Sequence, residues 1–242
     1  CIGAVKLSPR MFEGTKNYGN VSNLFMVHGN NNVMCSAIAV SETAIITAAS
    51  CFDSLNGDYS SVSVMSETSM DVVIAVIVHE NYTNATGENN IALISVENVK
   101  YQPGINLTSE NNKNYTNCKV GGFGNLNNTN DSDMVSYYEN VTVNACNNTK
   151  SAHICAGAGN GEELHPILCY GDIGAPLICN GELVGIAVTQ SNCDGTGATD
   201  EYQNIKDVKE WIENNIPDSA VSIMINPFTF ILTMALIVKT KL

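Results

Sequence analysis

The side chains best suited to chemistry in this sequence are nine cysteines, four histidines and a series of asparagines in Asn-x-Ser/Thr triplets. Cysteines Cys1, Cys35, Cys51, Cys118, Cys146, Cys155, Cys169, Cys179 and Cys193 could cross-link, bind metal or attack a substrate. Such density points to an oxidising compartment. No Cys-x-x-Cys pair is present, so the spacing speaks against zinc. His28, His79, His153 and His165 are the side chains able to take a proton near neutral pH. The triplets begin at Asn20, Asn81, Asn84, Asn106, Asn114, Asn127, Asn130, Asn140 and Asn147 and are candidate N-glycan acceptors, hence surface positions. With 32 asparagines and 36 serines plus threonines, about five would arise by chance, so the excess is modest.

The elements that must position these groups are short. Val33–Val40, Ala44–Ala48, Val72–Val78, Ile91–Val96, Val135–Val143 and Leu183–Thr189 are β-branched or alternating runs divided by Gly, Asn, Asp and Ser clusters. One helix is expected where Val208, Trp211, Ile212 and Ile216 recur at helical spacing. Many strands and one terminal helix predict an all-β sandwich or barrel. The 242 residues, 44% hydrophobic, suffice for a sizeable core. A net charge of −13, with Arg10 the only arginine, argues against nucleic-acid binding.

The two ends read differently from the body. Residues 1–10 form a leader: Ile2-Gly3-Ala4 is similar to the small-residue end of a signal peptide. Cleavage there would discard Cys1 and leave eight cysteines; a free or intermolecular Cys1 is the alternative. Residues 218–242 are a hydrophobic tail, with Ala220–Val238 largely apolar and Lys239 and Lys241 following. These 19 residues are just long enough to span a bilayer, although Ser222, Asn226 and Pro227 interrupt them. A lipid-anchor signal, with Asp218, Ser219 and Ala220 before the apolar stretch Phe228–Val238, is the second option.

Several blocks between these ends occur in an order that resembles the trypsin/chymotrypsin family of serine proteases. Cys35 to Phe52, ending Thr47-Ala48-Ala49-Ser50-Cys51-Phe52, is similar to the family's first cysteine, strand pair and Thr-Ala-Ala-His-Cys block. Asn89-Asn90-Ile91-Ala92-Leu93 resembles Asn-Asp-Ile-Ala-Leu, and Cys118 to Gly124 resembles the Cys…Gly-Trp-Gly segment, with Phe123 for Trp. Ile154-Cys155-Ala156-Gly157 matches directly, and Gly171-Asp172-Ile173-Gly174-Ala175-Pro176 is similar to the nucleophile loop Gly-Asp-Ser-Gly-Gly-Pro. The resemblance covers residues 11–217 as a domain and implies two six-stranded antiparallel barrels with a cleft between them. It also implies the disulfides Cys35–Cys51, Cys118–Cys179, Cys146–Cys155 and Cys169–Cys193, with Cys1 left over. Arg10-Met11 resembles the activation junction of the family, cut by a trypsin-like protease, with Asp172 the partner of the freed amino terminus.

The resemblance assigns the catalytic base to Ser50, the orienting carboxylate to Asn90 and the nucleophile to Ile173. An alcohol is not a base near neutral pH, an amide cannot stabilise an imidazolium, and an alkyl group cannot attack a carbonyl. None of the four histidines falls at the base position. The backbone N–H groups of Gly171 and Ile173 correspond to the family's oxyanion donors. Ile167 takes the base of the substrate pocket, where trypsins have Asp, while Gln190 and Asp200 replace wall glycines and are expected to fill it in part; Thr189 replaces a Trp. The expectation is a secreted or surface-anchored glycoprotein without cofactor or metal, non-catalytic, that binds a protein or glycan. The alternatives are an active endopeptidase, as family membership suggests, and an adhesive or shielding glycoprotein.

Overall fold

The fold is described from a computed structural model over residues 11, 14–29, 32–97, 99, 105–109, 115–124, 135–144, 146, 153–159, 164–191 and 193–217. The leader with Arg10, the tail 218–242 and the triplets at Asn114, Asn127, Asn130 and Asn147 lie outside these residues. The chain runs through β1 (Thr15–Lys16), β2 (Leu24–Gly29), β3 (Asn32–Ala39), β4 (Ala44–Thr47), a short 3₁₀ helix (Ala49–Leu55), β5 (Ser63–Met65), β6 (Met70–Asp71), β7 (Val73–Val78) and β8 (Ala92–Val96). It continues through β9 (Asn106–Leu107), β10 (Cys118–Gly122), β11 (Tyr137–Asn144), β12 (His153–Gly157), β13 (Pro176–Cys179), β14 (Glu182–Ala187), β15 (Asp200–Asn204) and α1 (Ile205–Asn215).

The first sheet has the order β6-β5-β2-β3-β4-β8-β7, seven strands. Only Val72 separates β6 from β7, so they form one bent strand that pairs with β5 at one end and β8 at the other, closing a six-membered ring. In the second sheet β10, β11, β12, β15, β14 and β13 pair in sequence, and β13 returns to β10. The two-residue strands β1 and β9 add to the outside of that ring, through β11 and β14, bringing the sheet to eight. The two barrels expected from the resemblance are therefore present.

Each barrel has its own buried core. Phe25, Val27, Ile38, Ile45, Ile46, Leu93 and Ile94 belong to that of the first, whose strands β4 and β8 are buried on both faces, and Val120, Ile154, Leu168, Leu177 and Tyr202 belong to that of the second. Helix α1 begins at its cap Asn204, whose side-chain oxygen accepts the Lys206 N–H at 3.1 Å. Val208 and Ile212, four apart, face inward and join the first-barrel core. The helix stops before Pro217, which disfavours helical backbone at Ile216. Trp211 stacks on His79 at 4.8 Å and donates its indole N–H to Glu80 at 2.8 Å, clasping the helix to the loop after β7. Four disulfides, Cys35–Cys51, Cys118–Cys179, Cys146–Cys155 and Cys169–Cys193, cross-link the domain in the pairs implied above.

Candidate functional site

The first barrel contributes Ser50, on the 3₁₀ helix after β4, and Asn90, just before β8. The two face one another. The Asn90 carbonyl oxygen accepts the Ser50 backbone N–H at 2.9 Å, and the Asn90 amide donates to the Ser50 hydroxyl at 3.2 Å. Asn90 is 5% exposed, and its own N–H donates to Gln203 Oε1 at 3.0 Å. The result is a neutral polar chain, Ser50–Asn90–Gln203, in which each amide group named is paired. Neither an alcohol nor a carboxamide takes a proton near neutral pH.

The second barrel contributes the turn from Gly171 to Gly174, between Cys169 and β13. Its backbone folds back on itself: the N–H groups of Asp172, Gly174 and Ala175 donate to the carbonyls of Cys169, Ala187 and Asp172. Gly171 and Gly174 have φ of +92° and +86°, a region that disfavours side chains. At Gly174 space is lacking too, since a Cβ would collide with the Ser36 carbonyl and the Thr47 hydroxyl. Ser36, on β3, locks this turn to the first barrel. Its N–H donates to the Ile173 carbonyl at 2.8 Å, its hydroxyl donates to the Gly171 carbonyl at 3.0 Å, and the same hydroxyl accepts the Phe123 N–H at 3.1 Å. Ile173 is half-buried and packs against the first-barrel core. The Ile173 side chain is thus an apolar plug at the seam.

Beneath the turn lie two buried carboxyl groups. Asp172 is fully buried and accepts the N–H groups of Gly124 at 2.8 Å and Cys169 at 2.9 Å. Asp200 is 2% exposed and accepts those of Ile167 at 2.7 Å and Leu168 at 3.1 Å. Burial raises the Asp172 carboxyl to about 8, with the neighbouring Asp200 adding to the shift and the two N–H donors opposing it. Burial likewise raises Asp200 to about 7. Tyr202, also fully buried, has a hydroxyl without a hydrogen-bond partner among the described residues.

Ile167 is fully buried and Asp200 is tied to its backbone, whereas Gln190 is exposed. Met11 is fully buried in the second-barrel core. With residues 1–10 attached it carries an amide N–H and not an ammonium, and the Asp172 bonds described above are to other groups.

The histidines are engaged elsewhere. His28 lies on β2 opposite Ser63, His79 stacks on Trp211, His153 Nδ1 is 2.8 Å from Glu201, and His165 bridges to Ala158. Asn20, Asn81, Asn84, Asn106 and Asn140 are all exposed. Sequence reasoning missed Ser36, Thr47 and Gln203, whose roles depend on contacts between distant segments and leave no mark in spacing. It also missed a cavity of 340 Å³ lined by Asn17, Ser22, Leu24, Glu67, Thr68 and Ser136 among others, away from Ser50, Asn90 and Ile173.

A pair of antiparallel barrels, each cross-linked by its own disulfides, with a glycine-flanked turn of one set against the loops of the other, is the architecture of a serine protease domain. The sequence profile of the Trypsin family matches residues 13–212, and the chain belongs to that family. Trypsin-3 of Salmo salar is 26% identical over 200 residues, 75% of this chain and 82% of that protein. Kallikrein-4 of Homo sapiens is 27% identical over 214 residues, 78% of this chain and 80% of that protein. The solved structure of neuropsin, a serine protease expressed in the limbic system of mouse brain, superposes with a TM-score of 0.67 at 21% identity, covering 85% of this chain and 99% of neuropsin.

Proposed function

We propose that this chain is a non-catalytic member of the trypsin family, a glycoprotein of the cell exterior that binds a protein or glycan. The observation that carries this reading is the mutual hydrogen bonding of Ser50 and Asn90, with an alkyl side chain at 173. A triad needs a base held by a carboxylate beside a nucleophile, and these three positions supply none of them. Four disulfides and five exposed Asn-x-Ser/Thr asparagines support an oxidising, extracellular setting with glycans attached. The apolar stretch in 218–242 is read as membrane attachment, by span or by lipid anchor. Arg10 is read as the site of cutting by an upstream trypsin-like protease, after which the Met11 ammonium would neutralise Asp172.

Incubation of the protein, before and after limited cutting at Arg10, with a fluorophosphonate probe and a peptide library tests the central point. No labelling and no turnover are expected. The triple variant Ser50→His, Asn90→Asp, Ile173→Ser is expected to gain labelling that none of the single changes gives. Turnover by the unmodified chain would establish the active endopeptidase instead.

A further inference from the structure

The strand that closes the first barrel carries an unusual outer face. Met70, Val72 and Ile74, at alternate positions, are 67%, 66% and 64% exposed. All three lie on the solvent side of the bent strand, joined by the exposed Ala75 where a bulge against β8 interrupts the alternation, while Val73 packs on the core. Isolated exposed apolar residues are ordinary, but a contiguous row marks a contact surface.

The row lies beside the point where the chain leaves the domain. The Thr43 hydroxyl donates to the Pro217 carbonyl at 3.2 Å. Thr43 also accepts the Val96 N–H at 3.1 Å, and the next residue, Glu97, donates to the Val72 carbonyl at 3.4 Å. Thr43, to which Pro217 is bonded, is therefore about two strand spacings, roughly 10 Å, from Val72. The apolar tail starts immediately after Pro217, so an anchor made from it holds this end of the barrel close to the bilayer. The exposed triplet asparagines nearest along the chain, Asn81 and Asn84, follow the opposite end of β7, about 20 Å away. Glu42, Asp71 and Glu97 flank the row, and carboxylates are repelled by anionic headgroups.

We propose that the Met70–Ile74 face rests on electrically neutral phospholipid, setting the domain on its side against the membrane that anchors it. The proposal depends on the membrane-attachment reading of the tail. A single lipid anchor holds a protein only marginally, and a second contact both strengthens attachment and fixes orientation.

The test uses the full chain reconstituted in phosphatidylcholine vesicles, with Cys1→Ser and an environment-sensitive fluorophore at Ile74→Cys or, as reference, at Glu88→Cys in the exposed loop beyond β7. Brominated phosphatidylcholine is expected to quench the label at 74 about threefold or more over that at 88, as burial at the acyl boundary requires. Flotation of the chain with equal quenching at both sites would overturn the proposal and leave the anchor standing. Failure to float would overturn both. Flotation with self-quenching at 74 that bromine does not affect would assign the face to a second copy of the chain, also overturning it.

Discussion

Two regions meet at the seam between the barrels, and they handle polarity in opposite ways. Around Ser50 and Asn90 the groups are neutral and paired with one another and with Gln203. Around Asp172 and Asp200 two carboxyl groups are buried beside a phenol that, among the described residues, has no partner, and there they are answered by backbone N–H donors. A neutral network of this kind costs the fold little once every donor finds an acceptor. A buried carboxylate is expensive unless it is protonated or meets a cation. The neutral groups at Ser50 and Asn90 therefore carry little electrostatic cost, whereas the acids beneath the turn make the stability of the second barrel sensitive to pH.

The comparison can be broken at Gly174, where both regions touch. Gly174→Ala would combine a positive φ with collisions at Ser36 and Thr47, costing about 4 kcal/mol, read as a large fall in Tm or failure to fold. The buried acids give the next effect. Their folded-state values are raised above the unfolded ones, so folding takes up protons. Stability should be greatest near pH 4 and fall as pH rises through about 7 and about 8. Each tenfold change in proton affinity is worth about 1.4 kcal/mol, so a loss of about 3 kcal/mol between pH 5 and 9 is a conservative expectation in urea titrations. Asp200→Asn should flatten that slope, and cutting after Arg10 should flatten it too if the Met11 ammonium reaches Asp172.

The neutral region should be indifferent to pH across this range. Asn90→Ala strips two hydrogen bonds from Ser50 and should cost about 2 kcal/mol at every pH, while Asn90→Asp keeps the acceptor and introduces a pH dependence the native region lacks. The smallest effect is Tyr202→Phe, which removes a hydroxyl that has no partner among the described residues. It should change stability by no more than about 0.5 kcal/mol, and any change should be a gain.

Much of the fold was legible because its strands advertise themselves. Runs such as Ala44–Thr47 and Ala92–Val96 are buried throughout and β-branched or apolar. Among the unread strands are two whose sequences look like turns. β15 reads Asp-Glu-Tyr-Gln-Asn, yet Asp200 and Gln203 point inward to backbone N–H groups. β10 ends in two glycines because a Cβ on Gly122 would strike the Asp172 carboxylate and one on Gly121 would come within 2.9 Å of Val21. Polarity and glycine there answer to neighbours far away in sequence, which composition cannot reveal. At the site, the aligned motif pointed to Ser50, Asn90 and Ile173, but it could not reveal that Ser50 and Asn90 bond to each other or that Asp200 folds onto the backbone of Ile167 and Leu168.

The single strand bent at Val72 has a consequence for how the molecule behaves in a crowded medium. Because it pairs at both ends, the first barrel offers, among the described residues, no long open row of amides onto which another chain could add, and of the described strands of the second sheet only the short β1 and β9 lie outside the closed ring. Open sheet edges are the usual seeds of fibril growth and precipitation. Repulsion between copies each bearing thirteen excess negative charges works in the same direction. Closure of the rings and like charge thus both work against strand-to-strand addition between copies.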